Sequence, residues 1–241
     1  MKIKIMHLYP DLLNLYGDMA TIESLRHRLL WRGIDVEVVK HTSEEGSVNF
    51  DDIDIVFLGG GGDREEKTVM KKLVGEKDKF EQYVDSEGVI FATCGGMDML
   101  GKYCKFADET VEGPGILDIY TEPGAKRMTG NVVLESNVFE GKIVGFENRP
   151  GKTNIGNLTP LGTVITGGGN NGEDCTEGVI YKNVIGTHLH GALLPKNPKL
   201  SDYIIETALR KKYMEFSKLT PLSDELESKA NEFIVERYRN Q

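Results

Sequence analysis

The stretch VIFATCGGMDMLG, Val89 to Gly101, opens as an apolar run and breaks at a cysteine followed by two glycines. Its first residues have the unbroken apolar character of a strand covered on both faces. The glycines after Cys94 force a tight corner before the chain resumes as Met-Asp-Met-Leu. A buried cysteine beside a turn accounts for this pattern. So does a nucleophile on a strand-to-helix elbow, where the side chain stands clear of both elements. On such an elbow the following amides open a helix, can bind an oxyanion and lower the thiol pKa.

Working outward, Lys2 to His7 alternates as a first strand, and the segment 18–33 follows with helical periodicity. There Ile22, Leu25, Leu29 and Leu30 share a face, and Gly33 closes the helix. IDVEVVK (34–40) and DIDIVFLGGGGD (52–63) read as two further strands, the second ending in four glycines. Residues 65–84 read as one helix with Lys and Glu on its outer side. This alternation implies a mostly parallel central sheet flanked by helices. Right-handed crossovers place the turns after Leu58 and Thr93 at one carboxyl edge, where sites form in such sheets. Two glycine-rich turns at that edge, one carrying a thiol, favour the nucleophile reading. The unshielded backbone of Gly59 to Gly62 then becomes a candidate second oxyanion donor beside the amides after Cys94.

From Gly113 to Gly191 the chain turns rich in Gly, Thr, Asn and Val, with short strands that read as antiparallel hairpins, one turning at Lys182-Asn183. Beyond Leu200, LSDYIIETALRKKY and LSDELESKANEFIVERY read as amphipathic helices, each with a Ser-Asp pair as N-cap. With no repeat or linker, residues 1–241 read as a single domain.

Composition narrows the function. Lys and Arg total 29 against 38 Asp and Glu, a formal net charge of −9. That balance opposes a dedicated nucleic-acid binder. No run approaches the ~18 apolar residues of a membrane span, and the N-terminus lacks a signal-like apolar core. Three scattered cysteines (Cys94, Cys104, Cys175) fit neither a disulfide framework nor a zinc knuckle. A soluble, cytoplasmic protein without membrane insertion is expected.

A thiol nucleophile needs a base. His27 and His41 fall on a helix and in a charged loop, and nothing near His7 supports a role. In GTHLHG, read as a strand that Gly191 ends, His188 and His190 point to the same face. A metal chelate there lacks a third ligand at suitable spacing, so no metal is expected. Two half-buried strand histidines remain the plain alternative.

Several motifs carry a resemblance. CGGMDMLG resembles the nucleophile motif Cys-Gly-Gly-x-Gln-x-Leu-Gly of class I glutamine amidotransferases of the cobyric acid synthase type. THLHG resembles that family's Thr-Tyr-Leu-His-Gly, whose histidine matches His190. The stretch 8–34, with LGGGGDREE, GFENRPGKTNIG and HGALLPKNPKLSD, is similar to glutaminase subunits of lipid II isoglutaminyl synthases, which amidate D-glutamate in the peptidoglycan stem peptide.

The resemblance implies a flavodoxin-like α/β fold with an antiparallel, strand-rich C-terminal half. It implies that Cys94 attacks glutamine and His190 serves as base. It also implies that backbone amides at Gly60, Gly61 and Gly95 hold the oxyanion, and that Arg127 binds substrate. Glutamine and a Mur-ligase-like synthetase are the implied partners. No cofactor is expected in this chain, and ATP and Mg are expected in the synthetase. GFENRPGKT is no P-loop, because five residues separate its glycines where four are required.

Three departures stand out. Asp98 occupies the family's Gln position, where a carboxylate disfavours a thiolate and weakens glutamine binding. His188 replaces a tyrosine. Ala192 stands where many class I amidotransferases carry an orienting glutamate. The alternatives are an amidotransferase for a cobyric acid-like corrinoid, a weakened subunit that only scaffolds its synthetase, and a cysteine-elbow hydrolase or chaperone of related fold.

Overall fold

The computed structural model describes residues 1–15 and 18–238, so residues 16–17 of the resemblance stretch and residues 239–241 lie outside the described residues. The first half alternates as expected. It runs β1 (Lys2–Leu8), α1 (Met19–Leu30), β2 (Asp35–His41), β3 (Ile55–Leu58), α2 (Asp63–Gly75), α3 (Lys77–Asp85) and β4 (Val89–Thr93). A five-residue helix α4 (Gly95–Met99) follows Cys94 directly.

The second half supplies β5 (Tyr103–Lys105), β6 (Thr110–Glu112), β7 (Tyr120–Ser136), β8 (Lys142–Asn154) and β9 (Gly162–Thr166). Then come β10 (Thr176–Glu177), β11 (Val179–Tyr181), β12 (Val184–Thr187), α5 (Leu193–Lys196), α6 (Pro198–Lys212) and α7 (Glu225–Tyr238).

The central sheet has the order β11-β12-β4-β3-β1-β2 and is parallel except at the β11–β12 hairpin, which turns through Lys182-Asn183. Successive residues of its inner strands face opposite helical layers. Met6, Leu8, Val56, Leu58, Ile90 and Ala92 pack with α2 and α3. Ile3, Ile5, Ile55, Phe57, Val89 and Phe91 pack with α1 and α6. A second sheet, β10-β9-β7-β5-β6 with β8 on β7, is built around the long antiparallel β7–β8 pair. Both cores continue into it, through Cys104 and Val111 on one side and Val132, Leu134 and Ile143 on the other.

Five local expectations change. The helix expected over 65–84 is two helices, because Glu76 leaves helical geometry at φ −109°. Leu30 is exposed, whereas Arg28 on α1 is buried. Its guanidinium is held by Asp202 of α6 and by Asp224, just before α7, at 2.6–3.0 Å. Ser201-Asp202 therefore lies inside α6, whose first residue is Pro198 after Asn197. Helix α7 buries none of its residues, so its apolar stripe makes no core. Finally, the strand carrying GTHLHG ends at Thr187.

Candidate active site

The glycine-rich turns after β3 and β4 do lie side by side, since Leu58 pairs with Ala92 in the parallel register. Cys94 sits between β4 and α4 at φ 54°, ψ −133°, a conformation that costs a non-glycine residue about 1–3 kcal/mol. Its surroundings hold it there. Its amide donates to Thr187 O at 2.8 Å, tying the elbow to β12. A Cβ on Gly60 would lie 2.7 Å from Cys94 Cβ and 3.0 Å from its Sγ. A Cβ on Gly96 would meet Leu58 O at 2.4 Å and Gly59 O at 2.7 Å. The glycines are thus space-savers that let two turns interlock around the thiol.

Cys94 is buried, and burial raises its pKa. The Glu66 carboxyl pushes it further in the same direction, while the Gly95 amide opposes and Asp98 and Asp18 add smaller increments. The resting thiol is therefore protonated at neutral pH. The resting group is a thiol, not a standing thiolate.

His190 lies past the end of β12, which neighbours β4 with Thr187 opposite Thr93. Its amide donates to Phe146 O at 3.0 Å, and its ring meets Phe146 edge-on at 5.8 Å. It is 5% exposed. Burial, with Lys196 adding to it, lowers its pKa to about 4, so the imidazole is neutral at physiological pH. Ala192, at φ 46°, turns the chain directly into α5.

His188 departs from the shared-face expectation. Because the strand ends at Thr187, His188 enters a buried polar cluster while His190 goes to Phe146. Its Nδ1 is 3.0 Å from Glu177 Oε2, and its Nε2 is 3.1 Å from Asp98 Oδ1. Asp98 Oδ1 also accepts from Thr121 at 2.7 Å and Thr153 at 2.8 Å. Burial opposes charge throughout this cluster, yet the opposite charges prevail. Asp98 falls to about 2, mainly through His188, and Glu177 also falls. Burial and Arg149 lower the His188 pKa, but Asp98 and Glu177 outweigh them and raise it. The carboxylate at position 98 is thus largely spent on its own partners.

A cavity of about 360 Å³ opens over the elbow, lined by Cys94, Gly95, Gly61, Glu66, Asp98 and Arg127 among others. Arg127 is exposed, and its Nε donates to Asn148 Oδ1 at 2.6 Å. His190 is not among the described residues lining this cavity, and Gly60 touches it only through Cys94. Among the described residues no group of His, Cys, Asp and Glu is arranged to hold a metal ion. Among the described residues no helix is long and apolar enough to cross a membrane.

Residues 4–198 match the CobB/CobQ-like glutamine amidotransferase domain. The chain belongs to that family. Over its whole length, and 98% of the relative's, it is 42% identical to the lipid II isoglutaminyl synthase (glutamine-hydrolyzing) subunit GatD of Staphylococcus aureus (strain N315). Over 98% of this chain and 90% of the relative it is 34% identical to the GatD subunit of Streptococcus pneumoniae (strain ATCC BAA-255 / R6). Among solved structures, PurLQS from Thermotoga maritima superposes with a TM-score of 0.56 at 18% identity, covering 87% of this chain and 99% of that one. That likeness bears on the fold alone, which is the class I glutamine amidotransferase fold.

Within this amidotransferase site, sequence reasoning passed over Glu66. It stands in the first turn of α2, four residues past the last of the glycines, and the acidic run DREE gave the only signal. It also missed Arg149, a buried cation whose Nη1 donates to Thr153 at 3.1 Å. Its spacing within a hairpin strand marks it as ordinary.

Proposed function

We propose that this chain is the glutaminase subunit of a lipid II isoglutaminyl synthase, acting in the cytoplasm beside a Mur-ligase-like synthetase. The observation that carries the chemistry is the strained Cys94 elbow, locked between Gly60 and Thr187 O at the edge that also leads to His190. The full-length similarity to two GatD subunits carries the choice of acceptor, because both relatives are named for lipid II.

In this reading glutamine enters the cavity with its α-carboxylate on Arg127, whose planar fork suits a carboxylate. The neutral His190 takes the Cys94 proton as Sγ attacks the side-chain carbonyl carbon. The oxyanion is held by backbone amides of Gly95 and the Gly60–Gly61 turn. His190 returns the proton to the departing nitrogen, releasing ammonia and leaving a γ-glutamyl thioester. Water, deprotonated by His190, then cleaves the thioester to glutamate and regenerates the thiol. The synthetase activates the D-glutamate carboxyl with ATP and Mg and consumes the ammonia.

The test is glutamate formation from glutamine by the wild type and Cys94→Ala, with and without the synthetase, alongside amidation of the lipid II stem peptide. Loss of both products in Cys94→Ala is expected. Glutamate formed at the wild-type rate by Cys94→Ala would remove the assigned nucleophile. Amidation that persists with free ammonia but never with glutamine would leave only the scaffold reading.

A further inference from the structure

The notch where an oxyanion would sit already holds an oxygen. Glu66 Oε1 accepts the Gly61 N–H at 3.2 Å. The same carboxyl lies on the backbone of the residue after the nucleophile, since a Cβ on Gly95 would stand 1.8 Å from Oε1 and 2.3 Å from the carboxyl carbon. Gly60 closes the third side, against Cys94 Sγ. The side chain reaches this place from α2, whose first turn is fixed by the Glu66 N–H bond to Gly62 O at 2.9 Å. Three walls of the notch are thus backbone, and the fourth is a side chain able to rotate.

The scissile amide makes competing demands. Its carbon must come within about 3–3.5 Å of Sγ, and its oxygen must lie on backbone N–H donors about 2.7–3.1 Å away. A carboxyl that accepts the Gly61 N–H and rests on Gly95 occupies that volume in the manner of the substrate carbonyl. We infer that Glu66 is a built-in occupant of the oxyanion site, which must rotate off Gly61 before the side-chain amide of glutamine can seat. The inference rests on the reading of Cys94 as the nucleophile.

Burial raises the Glu66 pKa to about 8, with Asp98, Asp63 and Glu65 reinforcing it and the Gly61 amide opposing. A carboxyl that is mostly neutral at pH 7 leaves the notch without carrying a full charge past the thiol. Its exit also takes away the neighbouring carboxyl that, whenever it is ionised, raises the Cys94 pKa most. Clearing the notch and readying the thiol are one movement.

The test is alkylation of Cys94 in the full chain, followed by intact mass. A diazoketone analogue of glutamine probes the notch, and iodoacetamide, which does not need the notch, normalises for thiol reactivity. With the notch emptied, Glu66→Ala reacts with the analogue roughly tenfold faster than wild type relative to iodoacetamide, the equivalent of about one hydrogen bond. Glu66→Ser gives the same comparison with a polar side chain too short to reach. Glu66→Gln keeps an oxygen for the Gly61 N–H and stays near the wild-type ratio.

Alanine and serine variants labelled no faster than wild type overturn the inference. So does a Gln variant as fast as alanine, which would make charge, not occupancy, the brake. Failure of the parent reading shows separately, as undiminished glutamate formation by Cys94→Ala.

Discussion

Asp98 and His188, the two positions at which this chain departs from the family's nucleophile and histidine motifs, are bonded to each other at 3.1 Å. Each unusual residue explains the other. A carboxylate beside the nucleophile is tolerable because an imidazolium, itself braced by Glu177, neutralises it from behind. Breaking such a buried pair from one side costs about 3–5 kcal/mol, because an uncompensated charge is left behind. Asp98→Asn and His188→Gln are each expected to lower unfolding free energy by that order in urea titrations. The double variant should lose clearly less than the sum. Strict additivity would show the two to be energetically independent.

The acid limb of glutaminase activity should sit unusually low. A base works in its neutral form, and the folded His190 pKa is about 4, against 6.5 for a free imidazole. The profile of kcat/KM against pH should therefore stay flat from pH 7 down through 6 and fall only near 4–5. His190→Ala should lose roughly a hundredfold to ten-thousandfold. A limb centred at 6.5 would contradict the burial of this ring.

His7 offers a stability prediction away from the site. It is fully buried on β1, neither ring nitrogen has a hydrogen-bond partner among the described residues, and burial lowers its pKa to about 4. The unfolded chain therefore binds a proton below pH 6.5 that the folded chain refuses until about pH 4. Stability then falls as pH drops across that window, by about 3 kcal/mol from this group. His7→Leu should flatten the dependence of urea midpoints on pH between 6.5 and 4. An unchanged slope would place the acid sensitivity elsewhere.

Gly95 and Gly96 should respond differently to alanine. A Cβ on Gly96 meets the carbonyl oxygens of Leu58 and Gly59, which cannot yield without moving β3. The atoms nearest a Cβ on Gly95 are those at the end of the Glu66 side chain. Gly96→Ala should cost more than about 2 kcal/mol, in the range of overpacked sites, and abolish Cys94 alkylation by the glutamine analogue. Gly95→Ala should fold, with thermal unfolding close to wild type. Equal losses would mean that the notch is as rigid as the turn beneath it.

What the sequence made legible was whatever depends on local periodicity and on turn chemistry. The apolar runs at 55–58 and 89–93 could only be buried strands, and their glycines fixed where the chain must bend. The unread parts depend on distant partners. Arg28 interrupts the apolar face of α1 because Asp202 and Asp224 come to meet it from more than 170 residues away. The strand expected to carry both histidines stops at Thr187 because Glu177 captures the next residue, receiving both its amide and its ring. Glu66 looked like one more acid on a solvated helix end. Only the folded turn places its carboxyl over the thiol's neighbour.

The bond from the Cys94 amide to Thr187 O has a bearing on what this chain can tolerate. It indexes Cys94 to His190 by a count of three residues along one short segment, from Thr187 to His190. Everything between α4 and β12, including the entire second sheet, is a detour that begins and ends at this bond. Insertions and deletions in the detour leave the index untouched where they spare Phe146, which receives the His190 amide, Glu177, which braces His188, and Arg127 at the cavity, so the rest of that sheet is free to be reshaped for a different acceptor or partner. A single residue added between Thr187 and His190 would misalign the base while leaving every strand of both sheets in place.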